Sequence, residues 1–476
     1  MMPDNAAVDD KNDYVPWSEL LNARHAASLT LVCLSIWLHA ADSMIVATMM
    51  PSMIADIGGT NVINWSVSLY QIGSIIAGAT SVWLSIRFGL RSPMSGAALL
   101  FGLGCMVSAM APDMWIVLIG RALQGIGGGC LVAMSFVGLS TIFPKRLIPR
   151  AMAIVSTLWG TSAFLGPMIG GFFVEYADWR TGFWFFTAQA VFLCALILFV
   201  AKVPEKPSNE VTKRVPLLRL MILSTGVVLV CYAGVEISIL RTSLLVASGL
   251  GCLLLFLWID AQQGENRLLP VHPFNLGSRV GASLSMILAF TMSTIAIMAY
   301  GPLLLIYIHQ IPVIVAGYVI ACTSVGWTIF AVMVSGSPKK HDGKMIACGM
   351  VMLTISIIGF AYSIPHGPVW LVALFALMEG GGFGIAWMFI LRRTTAGASP
   401  LEVQRISGAI PTVQRLGYAL GAAYAGIVAN AVGFETIASP EAAAHAAEVI
   451  FLACLPFAVF GLFAMIRLCR QFRPNG

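Results

Sequence analysis

Four ionisable side chains lie deep inside long apolar stretches of this 476-residue chain, and their chemistry stands out first. Two are the acids Asp42 and Glu379, and two are the guanidinium groups of Arg121 and Arg415. A charge that faces lipid costs about 2.5 to 3.5 kcal/mol even on the lenient insertion scale. We therefore expect each of these groups to face protein or a water-filled cavity.

Asp42 and then Glu379 are the candidate proton carriers, with Arg121 as the cation that acts on them. Asp42 has His39 one turn before it on the same helical face. Burial favours a neutral acid, whereas a nearby cation favours the carboxylate, so an acid that alternates between these settings takes up and releases a proton. An inward proton releases about 1.36 kcal/mol per pH unit, which such an acid can convert into export of a cargo.

Plainer structural roles for the same residues remain open. Arg121 could be a pin between helices, and Asp42 could be a buried acid satisfied by the backbone or by His39. Glu379 and Arg415 lie on consecutive apolar segments, and a pair between them would offset the desolvation of both charges.

Several residues could line a substrate cavity, which is expected to be largely apolar with a few fixed polar groups. The unbranched thioether of Met44 adapts to varied shapes, and Trp65, Tyr70 and Trp159 offer aromatic faces to a cation. Packing and lipid contact are the alternative roles of these side chains. The predicted cavity residues are His39, Met44, Trp65, Tyr70, Gln124, Trp159 and Arg415.

The composition identifies a polytopic membrane protein. Hydrophobic residues make up 58% of the chain and charged residues 10%, whereas about a quarter of the residues in soluble proteins are charged. Hydropathy predicts fourteen spanning helices, an even number that puts both termini on one side. Most of the 27 Lys and Arg then fall on that side, which the positive-inside rule assigns to the cytosol. We expect a bacterial inner membrane.

The longest polar connections divide the chain into two bundles. They bracket an inserted pair of helices and predict an all-α arrangement of six, two and six spanning helices. The expected parts are a cytosolic N-terminal tail (1–25), a six-helix bundle (26–203), a linker with two extra helices (204–280), a second six-helix bundle (281–470) and a cytosolic C-terminal tail (471–476).

The two bundles are related by an internal repeat. An offset of 255 residues carries Trp115 onto Trp370 and Gln124 onto Glu379, together with the glycines that follow Gln124. Internal repeats of this kind are common in secondary transporters, whose substrate sites lie at the interface of the repeats. We therefore expect the site between the bundles.

Glycines four residues apart predict close contacts between helices. They occur in the stretches "GRALQGIGGGC" and "GTSAFLGPMIGG", and the proline in the second should bend its helix. The predicted packing residues are Gly125, Gly129, Gly166, Pro167, Gly170 and Gly171.

These motifs resemble those of the major facilitator superfamily, and the helix count resembles its fourteen-spanner drug:proton antiporter branch. "RALQGIGGG" from Arg121 is similar to the fourth-helix motif, "GPMIGG" from Gly166 to the antiporter motif of the fifth helix, and "RLGYALG" from Arg415 to a motif of the penultimate helix. The resemblance implies a monomeric major facilitator fold and proton-coupled efflux of amphipathic or cationic drug-like compounds by alternating access. The proton gradient takes the place of a cofactor, and the partners are a small-molecule substrate and membrane lipid.

The chain departs from the family pattern between the second and third helices. Val82 and Ile86 stand where the family has a glycine and an aspartate. In the family that aspartate belongs to a cytoplasmic lock between the bundles, so we expect conformational control to differ here.

Other function classes find little support. Seven histidines are scattered over different segments, no cysteine spacing indicates a metal site, and no HxxxxD, DxD, GxSxG or P-loop arrangement occurs. We therefore expect neither an enzyme nor a metal protein, and the net charge of +6 reflects topology, not nucleic-acid binding. Export or uptake of one endogenous metabolite or siderophore remains the alternative within transport.

Overall fold

The computed structural model describes residues 17–58, 63–144, 146–199, 216–233, 238–434 and 439–470, and these are almost entirely helical. Long runs of apolar residues explain this, because a helix satisfies its backbone polar groups internally, as a bilayer requires. The α-helices are α1 (Trp17–Leu20), α2 (Ala23–Ile57), α3 (Ile63–Phe88), α4 (Arg91–Ala109), α5 (Met114–Ile142), α6 (Ile148–Tyr176), α7 (Trp179–Phe199), α8 (Leu217–Ala233), α9 (Ile239–Ala261), α10 (Arg279–His309), α11 (Val313–Val334), α12 (Asp342–His366), α13 (Val369–Thr394), α14 (Pro400–Ala431) and α15 (Pro440–Arg470).

Eleven of these helices are long and apolar enough to cross a membrane, counted over the described residues. The helices α1, α3, α8 and α14 fall outside that group. The apolar part of α8 is short, and α14 carries Glu402, Arg405 and Arg415. The structure thus supports about eleven spans, and the expected count of fourteen stays a prediction. Most of the predicted terminal tails lies outside the described residues.

The helices α2 to α7 and α10 to α15 form two halves with matching packing. In the first half, α3 and α4 pack on α5, α4 also packs on α7, and α2 packs on α6. In the second half, α11 and α12 pack on α13, α12 also packs on α15, and α10 packs on α14. The same pairs therefore recur in the same order, as an internal repeat requires.

Glycines make the corresponding crossings close in both halves. Gly125 of α5 lies against the backbone of Tyr70 in α3, and Gly380 of α13 lies against the backbone of Thr323 in α11. A Cβ at Gly125 would lie 2.8 Å from the Tyr70 Cα, and one at Gly380 would lie 3.0 Å from the Thr323 Cα. A side chain at either position would force the two helices apart.

The inserted helices α8 and α9 pack over the seam between the halves. They form an apolar cluster with α3 of the first half and α14 of the second, and Trp83, Val227, Phe256 and Leu420 are among its members. The ion pair between Arg219 and Asp260, 2.6 Å apart, joins α8 to α9. The helices α8 and α9 are therefore joined to each other and contact both halves.

Hydrogen bonds join the two halves near the face that carries α1. Arg150, close to the start of α6, donates to Ser335 Oγ at the end of α11 (3.0 Å). The Arg150 guanidinium also lies over the Trp17 ring of α1. Ser407 of α14 donates to Ser140 Oγ near the end of α5 (2.8 Å). These bonds tie the halves together at one end of the bundle.

Ile86, which stands where the family motif has an aspartate, lies near the end of α3, just before the connection to α4. Ile86 is buried, and the neighbouring Arg87 guanidinium lies over the Trp83 and Phe88 rings. In the second half, by contrast, Asp342 at the start of α12 pairs with Arg392 near the end of α13. In the second half, therefore, an aspartate at the start of the third helix forms an ion pair with the fourth.

Candidate coupling and substrate site

The centre of the first half is a buried ion pair between α2 and α5. Arg121 Nη1 lies 2.6 Å from Asp42 Oδ2, and the residues are 3% and 0% exposed. The same nitrogen donates to Gln124 Oε1, and Gln124 Nε2 donates to Ser108 Oγ on α4 (3.1 Å). A buried pair is stable only when neighbouring groups satisfy its remaining hydrogen bonds. Here part of that role falls to Gln124, while Asp42 Oδ1 and Arg121 Nε have no partner among the described residues.

Tyr70 of α3 connects this ion pair to His39 of α2. The Arg121 guanidinium lies over the Tyr70 ring, 4.2 Å from its centroid, in a cation–π contact. The Tyr70 hydroxyl lies 2.7 Å from His39 Nδ1 and 3.2 Å from the His39 carbonyl oxygen, and the two rings stack. A Cβ at Gly128 would lie 2.8 Å from His39 Nδ1, so the glycine leaves room for the imidazole.

Arg415 of α14 reaches across the seam to α2 and α3. Its Nη2 lies 2.5 Å from His39 Nε2, and its Nη1 donates to Gln71 Oε1 (3.3 Å). A guanidinium can only donate, so His39 Nε2 must be the acceptor and the neutral imidazole must carry its proton on Nδ1. That proton is then donated to the Tyr70 oxygen, and the Tyr70 hydroxyl donates to the His39 carbonyl. The contact joins the two halves near mid-height.

Glu379 stands apart from this network and does not form the expected pair with Arg415. It is 2% exposed, and its Oε2 has no hydrogen-bond partner among the described residues. The neighbouring helix α11 contributes Thr323, whose hydroxyl also has no partner there. The pair is absent because the Arg415 guanidinium is directed to His39 and Gln71 of the other half.

The remaining predicted cavity residues separate into two groups. Trp159 of α6 presents its edge to His39, with 5.9 Å between the ring centroids, and so belongs to the central network. Trp65 instead stacks on Tyr232 of α8 (5.3 Å), which places it against the inserted helices. Met44 is 38% exposed and lies beside α6. The network thus contains His39, Tyr70, Gln124, Trp159 and Arg415 together with Asp42 and Arg121.

The predicted packing glycines lie at two helix pairs. In α5, Gly129 lies against Ser74 of α3, one turn beyond Gly125. In α6, Gly166 lies against Met44 and Gly170 against Thr48, both of α2. A Cβ at Gly171 would meet no other atom within 4 Å. A bend was predicted at position 167, and α6 continues as a helix through that position. The side chain of Pro167 lies outside the described residues.

The sequence interpretation missed two polar members of the site, Ser108 and Gln71. Each is a small or uncharged polar residue within an apolar helix, where an unsatisfied polar group is costly. Such residues tend to hydrogen-bond across helix interfaces in membranes. An amide directly after Tyr70 was a usable signal, but its partner in α14 could not be read from the sequence.

Comparisons with known proteins give the context of this site. The family profile of the Major Facilitator Superfamily matches residues 32–422. A protein of Mycobacterium tuberculosis named "Probable multidrug-efflux transporter" is 30% identical over 436 residues, which cover 89% of this chain and 92% of the relative. The multidrug efflux pump SdrM of Staphylococcus aureus is 22% identical over 401 residues, covering 83% and 87%. Among solved structures, a human organic anion transporter superposes with a TM-score of 0.67 at 13% identity, covering 93% of this chain and all of that one.

Proposed function

Since the chain belongs to the Major Facilitator Superfamily, we propose that it exports amphipathic drug-like compounds in exchange for protons. It is an integral multi-pass membrane transporter of small molecules and not an enzyme. Efflux is proposed because relatives from Mycobacterium tuberculosis and Staphylococcus aureus carry that description over most of the chain. The observation that carries the proton coupling is the buried contact between Asp42 and Arg121.

Asp42 is the proposed proton carrier because its charge is matched by Arg121. A proton that binds the carboxylate forms an O–H bond and cancels the attraction between the two side chains. Breaking a buried ion pair on one side is costly, since it leaves the other charge uncompensated. Protonation of Asp42 therefore favours a rearrangement in which Arg121 gains another partner or access to water. Loss of the proton on the other side of the membrane reverses the step.

The contacts between the halves fit one state of an alternating-access cycle. Arg150 with Ser335 and Ser140 with Ser407 close the bundle at the face that carries α1. With both termini in the cytosol, as proposed here along with fourteen spans, this is an outward-facing state. In that state an exporter releases its substrate and takes up a proton. A bacterial inner membrane and a monomer complete the proposal.

The contacts of the two buried acids do not favour a cationic substrate. Asp42 is already occupied by Arg121, and Glu379 is enclosed within the second half. A cationic substrate would have to displace Arg121 or reach Glu379, so the proposal rests on amphipathic character and not on positive charge.

Transport by purified protein in liposomes under an imposed pH gradient tests the proton coupling. We expect wild-type protein to drive accumulation of fluorescent amphipathic dyes and Asp42→Asn to lose gradient-driven accumulation. The variant should retain gradient-independent exchange of dye, since the fold and the other residues of the network remain. The matched control is Asp56→Asn, an exposed acid on the same helix that pairs with Arg180.

Accumulation at the wild-type rate in Asp42→Asn would eliminate Asp42 as the carrier. A wild-type protein that moves none of the dyes, but exchanges one metabolite, would replace drug efflux by specific metabolite transport.

A further inference from the structure

Arg415 differs in its partners from three buried arginines of the chain, Arg121, Arg219 and Arg392. Arg121, Arg219 and Arg392 each pair with an aspartate. Arg415 contacts two neutral acceptors, His39 Nε2 and Gln71 Oε1, and forms no ion pair with any described acid. An arginine in this setting keeps its full positive charge, because the guanidinium does not deprotonate in proteins. Among the described residues, the seam therefore holds a cation with no carboxylate paired to it.

The groups around Arg415 do not cancel its charge. Asp42 and Arg121 neutralise each other. His39 is neutral, since it accepts a hydrogen bond from the guanidinium. Glu379 makes no hydrogen bond to Arg415, and its Oε2 has no partner among the described residues. The positive charge of Arg415 thus has no carboxylate in contact with it among the described residues.

The geometry of Arg415 suits an anionic ligand. A guanidinium presents five N–H groups in a planar fork, and His39 and Gln71 engage two of its nitrogens. The remaining N–H groups match the two oxygens of a carboxylate, which arginine binds more strongly than a neutral acceptor. The side chain is only partly buried in the seam, and the rings of Tyr70 and Trp159 flank its partner His39. A charged fork beside aromatic surface fits a molecule with an acidic group and an apolar body.

We propose that Arg415 binds the anionic group of amphipathic organic acids, so that carboxylates are among the substrates of this transporter. The assignment rests on the proposed export of amphipathic compounds and adds the charge of the substrate to it. A cation is disfavoured at the same place, because Arg415 repels it and the carboxylate of Asp42 is held by Arg121.

Three probes with one apolar body test this assignment: pyrenebutyrate, its carboxamide and pyrenebutylamine. Their binding to the purified full-length protein is measured by competition and by fluorescence, without a pH gradient. We expect wild-type protein to bind the carboxylate at least about ten-fold more tightly than the carboxamide, as a charge-assisted hydrogen bond implies. The amine should bind most weakly.

Two substitutions at Arg415 separate charge from geometry. Arg415→Gln should bind the carboxylate and the carboxamide equally, and Arg415→Lys should keep part of the preference because it retains a charge but not the fork. Binding of the carboxamide by Arg415→Gln reports that the variant is folded. The control Arg146→Gln, an exposed arginine paired with Glu19, should behave as wild type.

The assignment is overturned if wild-type protein does not bind the carboxylate more tightly than the carboxamide, or if Arg415→Gln keeps the preference. These outcomes differ from failure of the proposed function. Dyes that move under a pH gradient without any carboxylate preference would leave the antiport intact and remove the role of Arg415. A carboxylate preference without gradient-driven transport would support the role of Arg415 and contradict the proposed antiport.

Discussion

The two halves of this transporter share a backbone arrangement but differ in chemistry at corresponding places. The first half holds Asp42 and Arg121 in a buried ion pair. At the offset of 255 residues that relates the halves, Ile297 corresponds to Asp42 and Ala376 to Arg121. Glu379 corresponds to Gln124 and keeps a polar side chain, but Ala376 stands in place of the arginine that donates to Gln124 in the first half. Glu379 therefore has no arginine from this position, and its Oε2 has no partner among the described residues.

The difference teaches that packing and charge vary independently in such a repeat. The crossing of α3 with α5 and that of α11 with α13 both depend on a glycine that lies against a backbone. A glycine contact requires only the absence of a side chain, so it can be kept while the polar residues around it change. The halves therefore share a shape and divide the functional groups between them.

The largest expected effect comes from breaking the ion pair of the first half. Arg121→Ala leaves Asp42 buried without a counter-charge, so we expect the free energy of unfolding to fall by about 3 to 5 kcal/mol. The double variant Arg121→Leu with Asp42→Asn should recover most of that stability, because no charge remains unpaired, while transport stays lost. Thermal unfolding in detergent measures both. A double variant no more stable than Arg121→Ala would mean that the pair is not the source of the effect.

The next effect concerns the shared crossings. Gly125→Ala and Gly380→Ala should each destabilise the protein by about 1 to 3 kcal/mol, because the added methyl group overlaps the facing backbone. The two losses should be similar if the halves pack alike. Gly171→Ala is the control, since its surroundings are open. Unequal losses, measured by thermal unfolding, would show that the crossings are not equivalent.

The smallest effect is expected at Glu379. Glu379→Gln gives the second half the residue that the first half has at the corresponding position, and it replaces the carboxyl group by an amide of similar shape. We expect the free energy of unfolding to change by less than about 1 kcal/mol, within the range of a single neutral hydrogen bond. Asp42→Asn should cost more, since it leaves Arg121 unpaired. A loss at Glu379→Gln as large as that at Asp42→Asn, in the same unfolding assay, would indicate that Glu379 is ionised and paired.

Much of the site could be anticipated because charge is rare in an apolar helix. Asp42 and Arg121 stood out on that ground, and burial required each to find a partner. Their mutual contact was the simplest solution. Arg415 and Glu379 stood out equally, but neighbouring helices in the sequence did not imply facing side chains. Arg415 lies at the seam, where residues of the other half compete for it.

The sequence by itself indicated an all-helical membrane protein and carried the motifs that resemble the superfamily, because apolar length and glycine spacing can be read along the chain. The count of fourteen spans and the bounds of the domains stay predictions. Only the tertiary structure decided that His39, and not Glu379, accepts from Arg415, and that Tyr70 links the imidazole to Arg121. The reason is that hydrogen-bond partners in a helical bundle depend on the rotation and depth of each helix. Those quantities are set by the packing of all the helices together.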